Sequence, residues 1–527
     1  MGWRFELDGK WLLIGVVILA SVLTTVMLNL NHNNNSSSVV QVAEGVNVDN
    51  GDLEINWDRY TPVEVALNET YTITQSGVYH LTGTIDDGSV VVKVGAEGEA
   101  KLILDSVSIH NSTGPAIACL SGDDLVIELV GDNVLEDGAS YSGYDEDVTG
   151  AIYSKADLTL QGEGKLDLTA NYQDGVVGKD DTKFNSGTYK IVAVDDGVRG
   201  KDSVYIVKGD FTIKAGADGI KSTNETDVGK GFVMIEDGNF NVVAAAKGLK
   251  AVNEMLIYGG NYVIKTTDDA VHSDNYIGIT GGKFNINSGD DGVHANRSLM
   301  IDGGEITVAK AYEGLEAQAV TINGGKISLT TSDDGINAGG GADSSANNRV
   351  GAGMFDADEN CVIMINDGEV YVNASGDGID SNGWLYFNGG NVIVDGPTNN
   401  GNGALDAGMG IVMNGGKVLA VGASGMAETL GSASGIYNVS IYLATAQAAG
   451  TKIIIIDDEG EMVVEHTVKK TFSHIAVGAP EFKLGETYTI YLNGEKYEEF
   501  TISGITTTVG DGNMNQDNFT KPLPMRP

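Results

Sequence analysis

A right-handed parallel β-helix is the fold class this chain predicts, and three observations lead to it. Asp-Asp-Gly-Val-His at 290–294, Tyr-Glu-Gly-Leu-Glu at 312–316 and Asp-Asp-Gly-Ile-Asn at 333–337 return at a nearly constant interval. Apolar residues between them alternate, as Ile327 and Leu329 do, which is the period of a strand and not of a helix. Glycines keep the same pitch: Gly164, Gly187, Gly209, Gly238, Gly260, Gly282, Gly304, Gly325, Gly368, Gly390 and Gly416 mostly follow one another by 21 to 23 residues. A second series, Gly175, Gly197, Gly219, Gly248, Gly292, Gly314, Gly335 and Gly378, runs in step, with Ala270 filling its gap. A propeller blade needs about 40 residues, nearly twice this period, whereas short strands with glycine corners stack into a coil. Parallel crossovers are right-handed with few exceptions.

Stacking then predicts apolar columns, Ile279, Ile301 and Ile322 in one and Ile264, Ile286, Val308 and Leu329 in another. The 527 residues carry a net charge of -41, with 73 glycines and 42% hydrophobic residues. Such acidity excludes a nucleic-acid binder and suits an exported surface or a cation binder. The hydrophobic residues recur in phase with the repeat, which excludes general disorder.

In chain order, Trp11–Leu30 is an uncharged run long enough to cross a bilayer as one helix. Arg4 and Lys10 before it favour an inside N-terminus, and no clear cleavage signal follows. Residues 1–30 are therefore expected to be a transmembrane signal anchor and 31–49 a polar spacer, with residues 50–92 a β cap and 93–430 the β-helix. Longer alternating runs without the repeat predict a small C-terminal β module over 431–510, and 511–527 reads as a disordered tail. This places a single-pass protein in the cell membrane with its coil outside, or a secreted one if the first segment is cleaved. A monomer is expected. Cys119 and Cys361 would lie about 11 turns, roughly 50 Å, apart at ~4.8 Å per coil, so both are expected to be free and buried.

The residues before the second glycine series are acidic, often in pairs: Asp195 and Asp196, Asp268 and Asp269, Asp290 and Asp291, Asp333 and Asp334, then Asp377. Stacking gathers them along one corner, where charges ~4.8 Å apart repel by roughly 3.5 kcal/mol at an effective dielectric of 20. Asp-Gly turn chemistry accounts for one aspartate per corner. The doublets call for more, and their hard oxygens suit Ca²⁺, the expected cofactor.

Two positions beyond each glycine lies an outward column: Arg199, Lys221, Lys250, His272, His294, Glu316, Asn337, Asp380 and Asp406. It reads either as a solvated face or as a groove for a hydroxyl-rich or carboxylated chain. His272 and His294 would also fit zinc, but a third nitrogen or thiolate ligand is missing. Trp384 and Tyr386 take the outward phase, offering flat faces to sugar rings or marking a packed loop. The step from Gly325 to Gly368 holds a whole extra rung's length, yet 339–360 is too polar to form a coil and is expected to arch over this face.

The motifs "ADGIKSTN", "KGLKAVNEMLIYGGNYVI", "DDAVHSD", "DDGVHANRSLMIDGGEI", "YEGLEAQAVTINGGKI", "SDDGINAGGG", "GDGIDSNG" and "GALDAG" resemble, in the same order, a bacterial family of secreted carbohydrate-binding β-helix proteins related in fold to pectate lyases. The resemblance spans roughly residues 77–510. It implies calcium binding and adhesion to cellulose and polygalacturonate-like polysaccharides. By motif it assigns Asp268, Asp269, Asp290, Asp291, Asp333 and Asp334 to calcium, and Asp377, Asp380, Asn382 and Asp406 to a polar cluster for metal or ligand. Lys247-Gly248, without an acidic doublet, departs from the pattern and would break the metal row. The leading expectation is non-catalytic, calcium-dependent polysaccharide binding at the cell surface. A lyase using Lys221, Lys250 or Arg199 as base, and a structural adhesin, are the alternatives.

Overall fold

A computed structural model describes residues 55–339 and 357–510. The expected anchor and spacer, most of the 339–360 insertion and the 511–527 tail lie outside them. Among the described residues no helix is long and apolar enough to cross a membrane. Apart from a 3₁₀ turn at Trp57–Arg59, the elements are strands, wound into a right-handed solenoid of about 15 turns.

One coil shows how the sequence makes the shape. Strands Ile379–Ser381, Trp384–Phe387 and Asn391–Asp395 turn at two corners. They pair in parallel with Ile336–Ala338, Val362–Ile365 and Glu369–Asn373 on one side and with Leu405–Ala407, Gly410–Met413 and Lys417–Gly422 on the other. Alternation sends Ile379, Leu385, Phe387, Val392 and Val394 inward, all of them fully buried. The predicted columns hold residue by residue, Ile264 on Ile286 on Val308 on Leu329, and Ile279 on Ile301 on Ile322. A further column, Tyr189, Phe211, Phe240, Tyr262 and Phe284, stacks with centroids 4.4 to 5.0 Å apart.

The two glycine series exist for different reasons. Gly325 has φ +93°, open to glycine at little cost. Gly378 belongs to the other series, whose φ is not left-handed; there a side chain would strike the carbonyl of Ala404 in the next coil. Close approach of stacked backbones is what that series requires.

Three places interrupt the regular stacking. Parallel pairing begins at Val63–Leu67 on Gly77–Ile85 and at Tyr71–Ile73 on Val90–Lys93, within the segment expected as a cap. Lys326 faces Glu369 directly, so the long step to Gly368 adds an insertion and no coil. Parallel stacking ends at Lys417–Gly422, which pairs antiparallel with Phe472–Gly478. That strand also carries Asn438–Gln447, and a four-stranded antiparallel sheet packs a second apolar core beside it. The last coil edge is thereby covered, as an exposed solenoid end requires. Buried Asp395 ties the two parts together, accepting from Tyr371 Oη at 2.8 Å and the Lys469 backbone N–H at 3.1 Å, with His466 Nε2 at 2.9 Å. Both cysteines are free and buried.

Candidate functional site

Register places the outward column on a single ladder. Tyr153, Val177, Arg199, Lys221, Lys250, His272, His294, Glu316, Asn337, Asp380 and Asp406 are successive partners. The ladder thus runs from apolar through basic and imidazole to acidic. Three residues before Val177, Arg199, Lys221, His272, His294, Glu316, Asn337 and Asp380 stands an acid at the corner of the same coil, and before Lys250 stands Lys247.

Six corner acids divide their two oxygens. One caps the backbone N–H of the next coil's corner: Asp174 Oδ1 accepts from Asp196 at 3.2 Å, Asp196 from Asp218 at 3.1 Å, Asp218 from Lys247 at 3.0 Å, Asp269 from Asp291 at 3.0 Å, Asp291 from Glu313 at 3.2 Å and Asp334 from Asp377 at 2.6 Å. Turn chemistry therefore consumes Oδ1 at these six corners and leaves Oδ2 for other partners.

In the first half of the column those partners are resident cations. Arg199 lies 2.7 Å from Asp174 Oδ2, and Lys221 lies 2.6 Å from Asp196 and 3.3 Å from Asp218. Lys247, the sole basic residue of the corner series, reaches forward to Asp268 at 2.9 Å and Asp269 at 2.6 Å. Burial opposes the charge of Lys247, but the two carboxylates win and raise its pKa; the same balance raises Lys221. The Asp195/Asp196 and Asp268/Asp269 positions, expected to need a metal, thus already have ammonium or guanidinium partners beside them. A general base needs the reverse of what Lys221 shows.

The middle of the ladder is neither of the two surfaces expected of the outward column, a solvated face or an open groove. His272, His294, Glu316 and Asn337 are at most 4% exposed. Their side chains leave the strand outward but fold back onto the corner. His272 bridges Asp269 and Asp274, both at 2.8 Å, and stacks on His294 with centroids 5.0 Å apart. Asn337 Nδ2 donates to Glu313 at 2.8 Å.

Beyond Asn337 the compensation stops. Asp334, Asp377 and Asp380 bring one oxygen each within 4.8 Å of the others. Among the described residues none of the three has a lysine, arginine or histidine partner. Burial, then repulsion from neighbouring carboxylates, pushes Asp334 up to about 9 and Asp380 to about 8; Asp377 rises to about 6. The Oδ1 of Asn337, next to Asp380 on the ladder, is buried with no hydrogen-bond partner. An all-oxygen set under this electrostatic pressure fits a hard divalent cation. Asp290 and Asp333, the outer members of their doublets, are half-buried at the same corner.

Trp384 and Tyr386 stand half-buried on the neighbouring strand of the Asp380 coil, ring centroids 5.9 Å apart and 25° from parallel. Trp384 lines an open groove of ≈ 480 Å³ with Met409, Gly410, Val412, Glu428 and Thr429. The sequence reading missed Glu428 and Met409, which sit in loops with no repeat signal. Asn382 lines a second depression with Asp358, Asn360 and Met409.

A family model for carbohydrate-binding domain-containing proteins matches residues 67–314 and 264–356. The chain belongs to that family. A carbohydrate-binding domain-containing protein of Acetivibrio thermocellus is 33% identical over 188 residues, which are 34% of this chain and 65% of the relative's length, just under two thirds. A solved structure described as a polysaccharide lyase-like protein from C. thermocellum, a gadolinium derivative, shares 29% identity over 46% of this chain and 96% of its own, with a TM-score of 0.38. The carbohydrate-binding family match covers the lysine-compensated half of the ladder and stops before Asp377, Asp380, Trp384 and Tyr386.

Proposed function

We propose that the chain is a calcium-dependent, non-catalytic polysaccharide-binding protein of the cell surface. Family membership supports carbohydrate binding in general. One observation carries the finer reading: the uncompensated carboxylates of Asp334, Asp377 and Asp380 lie beside an outward Trp384–Tyr386 pair. Their oxygens would hold Ca²⁺, which when bound supplies positive charge for uronate carboxylates at this end of the coil. Trp384 and Tyr386 offer sugar rings an apolar face, and Glu428, Asn382 and Asp406 offer hydroxyl contacts around it. Cellulose and polygalacturonate-like chains are the proposed partners, and residues 11–30 the proposed membrane attachment. Lys221, held charged between two carboxylates, speaks against a lyase.

Retention of the purified chain on insoluble cellulose and on polygalacturonate, with calcium and with chelator, tests this. Retention that chelator abolishes is expected, without the ultraviolet absorbance of unsaturated uronates. Retention indifferent to chelator would remove calcium from the proposal, and growing absorbance would replace binding by lysis.

A further inference from the structure

A second kind of metal set lies where the ladder passes from lysine to carboxylate, independent of the polysaccharide reading. His294 Nδ1 is 2.7 Å from Glu316 Oε2 and 3.1 Å from Asp291 Oδ2, and the three side chains are at most 6% exposed. One ligand atom from each lies within 4.8 Å of the others. On the far side of the ring, Nε2 is 2.9 Å from Asn296 Oδ1. An amide oxygen only accepts, so Nε2 carries the proton and donates. In the neutral ring Nδ1 is then a lone pair aimed at two carboxylate oxygens. Three electron-rich atoms in a buried site stay together only with a cation among them, either a proton on the imidazole or a metal ion.

We infer that Asp291, His294 and Glu316 form a binding site for a borderline divalent transition-metal ion of the Zn²⁺ type, separate from the all-oxygen set at Asp334, Asp377 and Asp380. The sequence alone lacked further ligands for the histidine pair; register supplies Asp291 from the same coil and Glu316 from the next. Imidazole nitrogen favours zinc-like ions over calcium, and three protein ligands with an open place are a common zinc arrangement. Asn296, holding the other ring nitrogen, has the role of the outer partner that orients a metal-bound histidine.

The test uses the full chain, stripped with chelator and then saturated with calcium, and Co²⁺ as a coloured stand-in for Zn²⁺. A visible d–d absorption that saturates at one ion per chain, and that Zn²⁺ bleaches, is expected. Glu316→Gln and His294→Gln should each weaken Co²⁺ binding about 100-fold or more, while the calcium-induced rise in melting temperature persists. Asp380→Asn should do the opposite, keeping the cobalt colour and losing the calcium effect. Should His294→Gln fail to fold, Glu316→Gln and a Zn²⁺-induced rise in melting temperature of the unmodified chain stand in its place. Absence of cobalt colour at millimolar ion, or equal colour in Glu316→Gln, would overturn the site.

Discussion

Lys221 reaches back one coil to Asp196, its Nζ 2.6 Å from Oδ2, and no described lysine takes the matching place beside Asp334 or Asp377. The ladder that carries Lys221 carries Asp380 six strands further on. One column is therefore neutralised by basic side chains at its start and lacks them beside Asp334, Asp377 and Asp380 at its end.

Replacing Lys221 by Met should leave Asp196 and Asp218 buried without their partner. A loss of ~3 kcal/mol is expected, because stripping one member from a buried pair costs more than the pair contributes. The shift in denaturant midpoint measures it, and a supplement of calcium should restore part of the loss if the emptied corner accepts the ion.

In chelator the acidic end should favour low pH. Asp334 at about 9 and Asp380 at about 8 lie above the ordinary value of 3.8, so between roughly pH 4 and those values the folded chain binds more protons than the unfolded. Stability contributed by these groups therefore falls as pH rises through that window. Calcium displaces the protons, and the melting-temperature difference between calcium and chelator should be larger at pH 8 than at pH 5. Equal differences at both pH values would contradict the assignment.

The C-terminal module should show the opposite trend. Burial lowers His474 from 6.5 to about 4, and its Nε2 lies 2.7 Å from Ser440 Oγ. Between those values the unfolded chain binds the extra proton, so stability is full above pH 6.5 and is lost as pH falls toward 4, by ~3 kcal/mol in all. Protection against hydrogen exchange along Phe472–Gly478, measured relative to the intrinsic rate at each pH, should fall on acidification, and His474→Gln should flatten that dependence.

Trp384→Ala should weaken retention on cellulose about tenfold, near 1.4 kcal/mol, beyond whatever the loss of a half-buried ring does to the melting temperature. Tyr371→Phe, which touches the module contact at Asp395 instead, should leave retention unaltered.

Much of this architecture was legible in the order of residues. Alternation marked Ile264, Ile286, Val308 and Leu329 as one inward column, and the glycine pitch marked the corners, because both depend on local backbone geometry repeated at one interval. The ladder from Arg199 to Asp406 could be written down from that pitch. Its behaviour could not. His272 and His294 were placed outward and expected on a solvated face or in a groove, whereas their rings lie folded onto Asp269 and Asp291 and buried. Lys247 was visible as a break in the acidic row, yet its forward reach to Asp268 and Asp269 turns that break into a counter-charge.

Periodicity thus specified the coil, its pitch and the list of carboxylates along one edge. Which of them already hold a cation depended on the folded chain, since a carboxylate's partner comes from a neighbouring coil 21 to 29 residues away and its two oxygens are divided by geometry between backbone and ion. Charge at a site is a sum over neighbours in space, and that sum exists only once the coils are stacked.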